Sequence, residues 1–346
     1  MDINLLDEKT LSQLKDTLQS AHHILICCHK SPDGDAIGSC LGWAAYLRRC
    51  GKEPVVVIPD AMPDFLQWIP GVNMVVRYDK NKEKADQLLQ QADLVCCLDF
   101  NSAHRLADMQ PAFEAANVNK ILIDHHIDPD VPAALLISYP NLCSTSEIVF
   151  RLIWQLGGYE GMTEAEAQAI YCGMMTDTGG FTYNSSYPEI YHIIGLLLSK
   201  HIDKDRIYRR VYNNFSESCL KMRAYVISQK LCVMSQCHAS YFTITKKEQK
   251  RFHFIKGDAE GLVNEPLRIK GLRLSISLRE DTEKENLVWV SLRSVDHYYC
   301  NKLAEKFFNG GGHANASGGR LYCTMEEAVQ VVHMAILAFA KQYNEE

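Results

Sequence analysis

"ICCHKSPDGDAIGS", residues 26–39, sets a histidine and two aspartates, His29, Asp33 and Asp35, at the end of an apolar run, with proline and glycine between them. Two further apolar runs end in the same way. "DLVCC" leads to Asp99, and "KILI" leads to Asp124, His125 and His126. Short, continuous apolar runs separated by helical patterns such as "AIGSCLGWAAYLRRCG" and by the strand-like "PVVVIP" predict strands buried on both faces, hence a parallel α/β sheet flanked by helices. In such a sheet the carboxyl ends of the strands share one edge, where ligands gather. One aspartate after a strand is ordinary turn chemistry. Three strand ends closing in Asp or His point to one shared site.

Converging carboxylates repel one another unless protons or cations neutralise them. Mixed oxygen and imidazole donors suit divalent manganese, magnesium, iron or zinc. So many ligands suit two ions better than one, and a pair ~3.5–4 Å apart is the usual arrangement for hydrolysing a phosphate ester.

Composition narrows the class. The chain has 346 residues, 47% hydrophobic and 23% charged, with a formal net charge of −6 at pH 7. That length suits two domains. An acidic balance argues against binding long duplex nucleic acid, which needs a basic surface, though not against a small anionic ligand. Thirteen cysteines, an odd number with no Cys-x-x-Cys pair, indicate reduced thiols, and with no secretory signal or membrane-length apolar run they predict a cytoplasmic protein without membrane partners.

The second half reads differently. Residues 200–230 are helical and charged, a connection between an N-terminal domain over 1–199 and a smaller α+β domain with a mixed sheet over 231–346. "LRLSISLRE" and "NLVWVSLRSV" flank the polar turn "DTEKEN" as a hairpin. Arg293 and Ser294 close the second of these strands. The glycine-rich loop from Gly310 to Gly319 carries Gly311, Gly312, His313, Asn315 and Ser317, residues suited to gripping an anion. Cys232, Cys237 and His238 lack a fourth ligand nearby and read as structural. His104, after "DFNSA", lies near the acidic edge as a candidate for substrate contact, and the basic run at 245–251 reads as a solvated face.

Taken together, "DHH" at 124–126, the upstream H-x-x-x-D-x-D, the lone Asp99 and "GMMTDTGGF" with Asp177 resemble the DHH phosphoesterase superfamily, and "GGGHANASGG" resembles the phosphate-binding loop of its associated C-terminal domain. Length and domain order are most similar to the NrnA-type oligoribonucleases, which also act as 3′-phosphoadenosine 5′-phosphate phosphatases. The resemblance implies one metal on His29, Asp33 and Asp99 and a second on Asp35, Asp99, His125 and Asp177, most simply Mn2+. It gives His126 contact with the scissile phosphate, Asp124 an orienting role, and Arg293, Ser294, Gly311, Gly312, His313, Asn315 and Ser317 the substrate. Where many relatives have "TGRF", this chain has "TGGF" at 178–181, which removes an arginine and leaves substrate preference open. The implied partners are short RNA oligonucleotides or small nucleotides; the oligomeric state is left open, a homodimer included. Competing readings are a linear or cyclic diadenylate phosphodiesterase, an exopolyphosphatase or pyrophosphatase (whose Ser-Arg-Lys signature is absent), and a nucleotide sensor without catalysis.

Overall fold

The apolar runs pair as strands of one parallel sheet: β1 (Ile24–Cys27), β2 (Val55–Ile58), β3 (Val76–Arg77), β4 (Leu94–Leu98), β5 (Asn119–Asp124) and β6 (Leu135–Ser138), in the spatial order β3-β2-β1-β4-β5-β6. Alternate residues of each strand face opposite ways, and in β1, β2, β4 and β5 both faces are buried. Ile24, Ile26, Val56, Cys96 and Ile123 pack under α1 (Glu8–Ser20), α2 (Gly34–Arg49), α5 (Thr145–Gln155) and α6 (Glu164–Asp177). Leu25, Cys27, Val57, Val95, Cys97 and Leu122 pack under α3 (Lys82–Gln91) and α4 (Gln110–Ala115). Burial on both faces is why these strands read as continuous apolar runs rather than alternating ones.

This is a computed structural model; it describes residues 2–255 and 257–343 and separates into two compact units, Met1–Asn214 and Phe215–Glu346. Of the helical stretch 200–230, α8 (Lys204–Tyr212) follows α7 (Pro188–Leu198) in the first unit, and α9 (Glu217–Tyr225) opens the second. The second unit is built on a mixed sheet ordered β11-β12-β10-β9-β8-β7: β7 (Cys232–Met234), β8 (Ala239–Ile244), β9 (Leu274–Glu280), β10 (Val288–Ser294), β11 (Gly311–His313) and β12 (Ala316–Leu321). Only β8 and β9 run parallel; β9 and β10 form the hairpin expected from their alternation. Besides α9 it carries α10 (Lys246–Arg251), α11 (Asn301–Phe307) and α12 (Met325–Tyr343), the last covering the sheet through Ala328, Val332, Ile336 and Phe339. All thirteen cysteines are free thiols, and no described helix is long and apolar enough to cross a membrane.

α2 and α6 pack closely along their lengths. The α6 N-terminus is set by a reciprocal capping box between Thr163 and Glu166. Further along, Gly34, Gly38 and Gly42 form a stripe on α2 that meets Thr176, Gly173 and Ile170 of α6. A Cβ on Gly38 would lie 2.5 Å from the Ala169 carbonyl oxygen and 2.9 Å from Gly173 Cα, backbone atoms that cannot rotate away. The close approach matters because the first turn of α2 carries Asp35 and α6 ends with Asp177. Replacing Gly38 with alanine should therefore push the helices apart and cost about 1–3 kcal/mol. A fall in the urea midpoint at unchanged slope would register this; an unchanged midpoint would show that the contact is slack.

Candidate active site

Between β1 and β4 the sheet reverses its direction of winding: the chain leaves β1 through α2 on one face and leaves β4 through α4 on the other. Such a switch point opens a crevice beyond the strand ends. β1 delivers His29 and Asp33, β4 delivers Asp99, and β5 delivers Asp124, His125 and His126. Asp99 sits in the left-handed region at φ 65°, which a non-glycine residue adopts only when its surroundings enforce it. Its amide donates to the Ile123 carbonyl at 3.1 Å, fastening the turn to β5.

Asp99 looks two ways. Its Oδ2 lies 3.5 Å from His29 Nε2, and its Oδ1 lies 3.6 Å from His125 Nε2. On the first side Asp33 Oδ2 is 3.8 Å from His29 Nε2, while Asp33 Oδ1 caps α2 by accepting from the amides of Asp35 and Ala36. On the second side Asp177 Oδ2 and Asp35 Oδ2 are 3.4 and 4.0 Å from His125 Nε2. The donor atoms of His29, Asp33 and Asp99, and separately of Asp35, His125 and Asp177, fall within 4.8 Å of one another. In both histidines the other ring nitrogen faces a carbonyl, His29 Nδ1 toward Lys30 at 2.8 Å and His125 Nδ1 toward Leu142 at 3.3 Å. A carbonyl only accepts, so Nδ1 carries a proton, and Nε2, turned to the carboxylates, is the nitrogen left to give its lone pair to a cation.

The electrostatics of this donor set suit cations. Burial, followed by the neighbouring Asp35 and Asp33, pushes Asp99 well above the usual carboxylate range, and burial also raises Asp35 and Asp124. Burial alone would neutralise His125, but Asp177, Asp99, Asp35 and Asp124 overcome it and raise its pKa to about 9. Without other positive charge, the cluster holds protons. Among the described residues the buried Asp124 Oδ2 has no hydrogen-bond partner, a further acceptor left open.

Two features of the site were not read from the sequence. The α5 N-terminus braces the carboxylates: the amides of Thr145 and Ser146 donate to Asp35 Oδ2 and Oδ1 at 2.7 and 2.9 Å, and Thr145 Oγ1 donates to Asp99 Oδ1 at 3.0 Å. Its signal in the sequence is "STSE" at 144–147, a helix start in which Ser144 is the N-cap. The second is Arg105, six residues beyond Asp99, whose Nη1 lies 2.7 Å from His126 Nε2, while His126 Nδ1 lies 2.7 Å from Asp124 Oδ1. Burial and the Arg105 charge hold the His126 pKa down to about 2. His104, by contrast, is exposed and pairs with Ser102 Oγ at 2.7 Å.

In the second unit the glycine-rich stretch is a tight hairpin rather than an open loop, with Gly311, Gly312 and His313 opposite Gly318, Ser317 and Ala316. The glycines serve close backbone approach: a Cβ on Gly312, at φ 137°, would lie 2.7 Å from the Ala316 carbonyl oxygen. Strand pairing thus takes up part of the amide set. The hairpin adjoins the end of β10, where Arg293 pairs with Ala316, Asn315 Nδ2 donates to Ser294 Oγ at 3.0 Å, and Ser317 Oγ donates to the His313 carbonyl at 2.8 Å. Cys232, Cys237 and His238 join no metal-competent cluster among the described residues.

A family model described as the N-terminal domain of the DHH family matches residues 23–174, which hold every cluster ligand named above except Asp177. The crystal structure of an exopolyphosphatase-related protein from Bacteroides fragilis is 48% identical, superposes with a TM-score of 0.92, and covers 97% of this chain and 98% of its own. The chain belongs to the DHH family. Among DHH relatives, the bifunctional oligoribonuclease and PAP phosphatase NrnA of Bacillus subtilis (strain 168) is 25% identical over 93% of this chain and 96% of its own length. The NrnA of Thermus thermophilus is 28% identical over 86% and 84%.

The raised pKa of Asp99 fixes the sign of a stability effect. A carboxyl that titrates higher folded than unfolded favours folding while protonated, and this contribution is lost as pH rises through the folded value. In chelator-treated protein at neutral pH, Asp99→Asn should therefore raise Tm relative to wild type, while the Tm increase produced by added Mn2+ should shrink or vanish. Thermal melts with and without metal measure both. A variant destabilised without metal, yet fully stabilised by Mn2+, would refute the reading of Asp99 as a crowded cation ligand.

Proposed function

We propose that the chain is a divalent-metal-dependent phosphoesterase that releases nucleoside monophosphates from short RNA and removes the 3′-phosphate of 3′-phosphoadenosine 5′-phosphate. The observation that carries the reading is Asp99, one carboxylate between two three-residue ligand groups, each completed by a histidine with its Nε2 turned inward. His29, Asp33 and Asp99 would hold one ion and Asp35, Asp99, His125 and Asp177 the other, with Mn2+ the first to test. When bound, such a pair supplies Lewis acidity at a phosphoryl oxygen and brings the pKa of water toward neutrality. The protein's part is positional. The α5 amides fix Asp35, Thr145 holds Asp99, and Asp124 holds the His126 ring. Arg293, Ser294, Gly311, Gly312, His313, Asn315 and Ser317 would bind the nucleotide away from the reacting bond.

The names of the B. subtilis and T. thermophilus relatives support RNA and 3′-phosphoadenosine 5′-phosphate as substrates. The name of the B. fragilis protein favours a second reading, cleavage of phosphoanhydrides in polyphosphate. One panel separates them: purified protein with Mn2+, given RNA of two to thirty nucleotides, 3′-phosphoadenosine 5′-phosphate, linear and cyclic diadenylate, and polyphosphate. The expected outcome is turnover of the shortest RNAs and of 3′-phosphoadenosine 5′-phosphate. Preference for polyphosphate or cyclic diadenylate would replace the reading.

Two substitutions test the roles. In His126→Ala the bound Mn2+ should remain while kcat falls by at least tenfold, and loss of metal instead would make His126 a ligand. In Arg293→Ala, hydrolysis of bis-p-nitrophenyl phosphate should stay near wild type. Its kcat/KM on short RNA should fall about ten- to a hundredfold, the worth of one charge-assisted phosphate contact. Equal losses on both substrates would assign Arg293 to the scaffold.

A further inference from the structure

The hydrogen bonds around His126 leave one place for its proton. A guanidinium can only donate, so at 2.7 Å from Arg105 Nη1 the Nε2 of His126 must accept. The ring proton of the neutral imidazole is then on Nδ1 and is donated to Asp124 Oδ1 at 2.7 Å. A ring in this state has no N–H to offer a phosphoryl oxygen. The charge and the open donors at this edge belong to Arg105 instead.

The backbone of Arg105 is tied to two of the loops that carry ligands. Its carbonyl accepts from the amide of Lys30, next to His29, at 2.8 Å, and its amide donates to Ser102 of the Asp99 turn at 3.1 Å. The side chain is half-buried. Among the described residues its guanidinium makes no other hydrogen bond and no ion pair, although five aspartates, Asp33, Asp35, Asp99, Asp124 and Asp177, gather at this sheet edge. An arginine held at such a place by a neutral ring keeps its remaining N–H groups for an incoming anion.

We infer that Arg105 binds the scissile phosphoryl group, with Nη1 steadied by His126 and the other N–H groups directed to a non-bridging oxygen. This rests on the proposed phosphoesterase reading for the identity of the anion. His126 and Asp124 then act as positioning residues that aim the guanidinium. Because the contact is at the reacting phosphate, Arg105 serves every substrate, large or small, which separates it from Arg293.

The test compares wild type, Arg105→Met and Arg105→Lys, each loaded with Mn2+. Three quantities are measured: Mn2+ stoichiometry, inhibition or binding by inorganic phosphate, and kcat/KM on both a diribonucleotide and bis-p-nitrophenyl phosphate. In Arg105→Met the metal content should be unchanged, phosphate affinity should fall about tenfold or more, and both substrates should lose about ten- to a hundredfold alike. Arg105→Lys, which keeps the charge but not the fork, should recover part of the phosphate affinity. Loss of Mn2+ in both variants would make Arg105 a scaffold for the metal site and overturn the inference, as would unchanged phosphate affinity or a loss confined to the diribonucleotide. If wild type binds phosphate through Arg105 but cleaves none of the panel substrates, the contact stands and the phosphoesterase reading falls.

Discussion

Mutual repulsion among carboxylates is the constraint on which the first unit is organised. Asp33, Asp35, Asp99, Asp124 and Asp177 come from strand ends and from two helices, and left to themselves they would separate or take up protons. Each is held by something other than its neighbours. Asp33 is committed to capping α2, Asp35 is pinned by the α5 amides, Asp99 is locked in a left-handed turn, and Asp124 ends a buried strand. Asp177 is brought close because glycines let α2 and α6 meet almost backbone to backbone. The cost of crowding is thus borne by the scaffold, which holds together a donor set that protons or cations must neutralise.

The three histidines show how local partners divide labour within one pocket. His29 and His125 each spend Nδ1–H on a carbonyl and turn Nε2 to the carboxylates. His126, adjacent to His125 in sequence, spends Nδ1–H on Asp124 and turns Nε2 to a guanidinium. The residue type is the same, yet two rings are suited to hold a cation and the third to aim one. The partners of the two ring nitrogens make the difference.

Much of this was legible in the sequence because it is local. A continuous apolar run must be buried on both faces, and a strand so buried needs parallel neighbours and helices above and below, as β1, β4 and β5 have. Acidic and histidine residues at three strand ends then meet whatever the details of the loops. The hairpin at 311–321 reads as a loop in the sequence because glycine has two uses, conformational freedom and absence of a side chain, and its symbol does not distinguish them. Arg105 and Thr145 escaped because each acts through a partner far along the chain: Arg105 meets a histidine 21 residues away and Thr145 an aspartate 46 residues away.

The sequence by itself determined the fold class, the edge of the sheet where chemistry gathers, and the donor types present there, since burial pattern and side-chain chemistry are properties of short segments. Only the tertiary structure decided which oxygen of Asp99 faces which histidine, where the His126 proton lies, and that an arginine stands at its Nε2. Those depend on strand order and on helix approach to within an ångström. Hydrogen bonds and charge interactions change steeply over such distances, and no pattern along the chain encodes them.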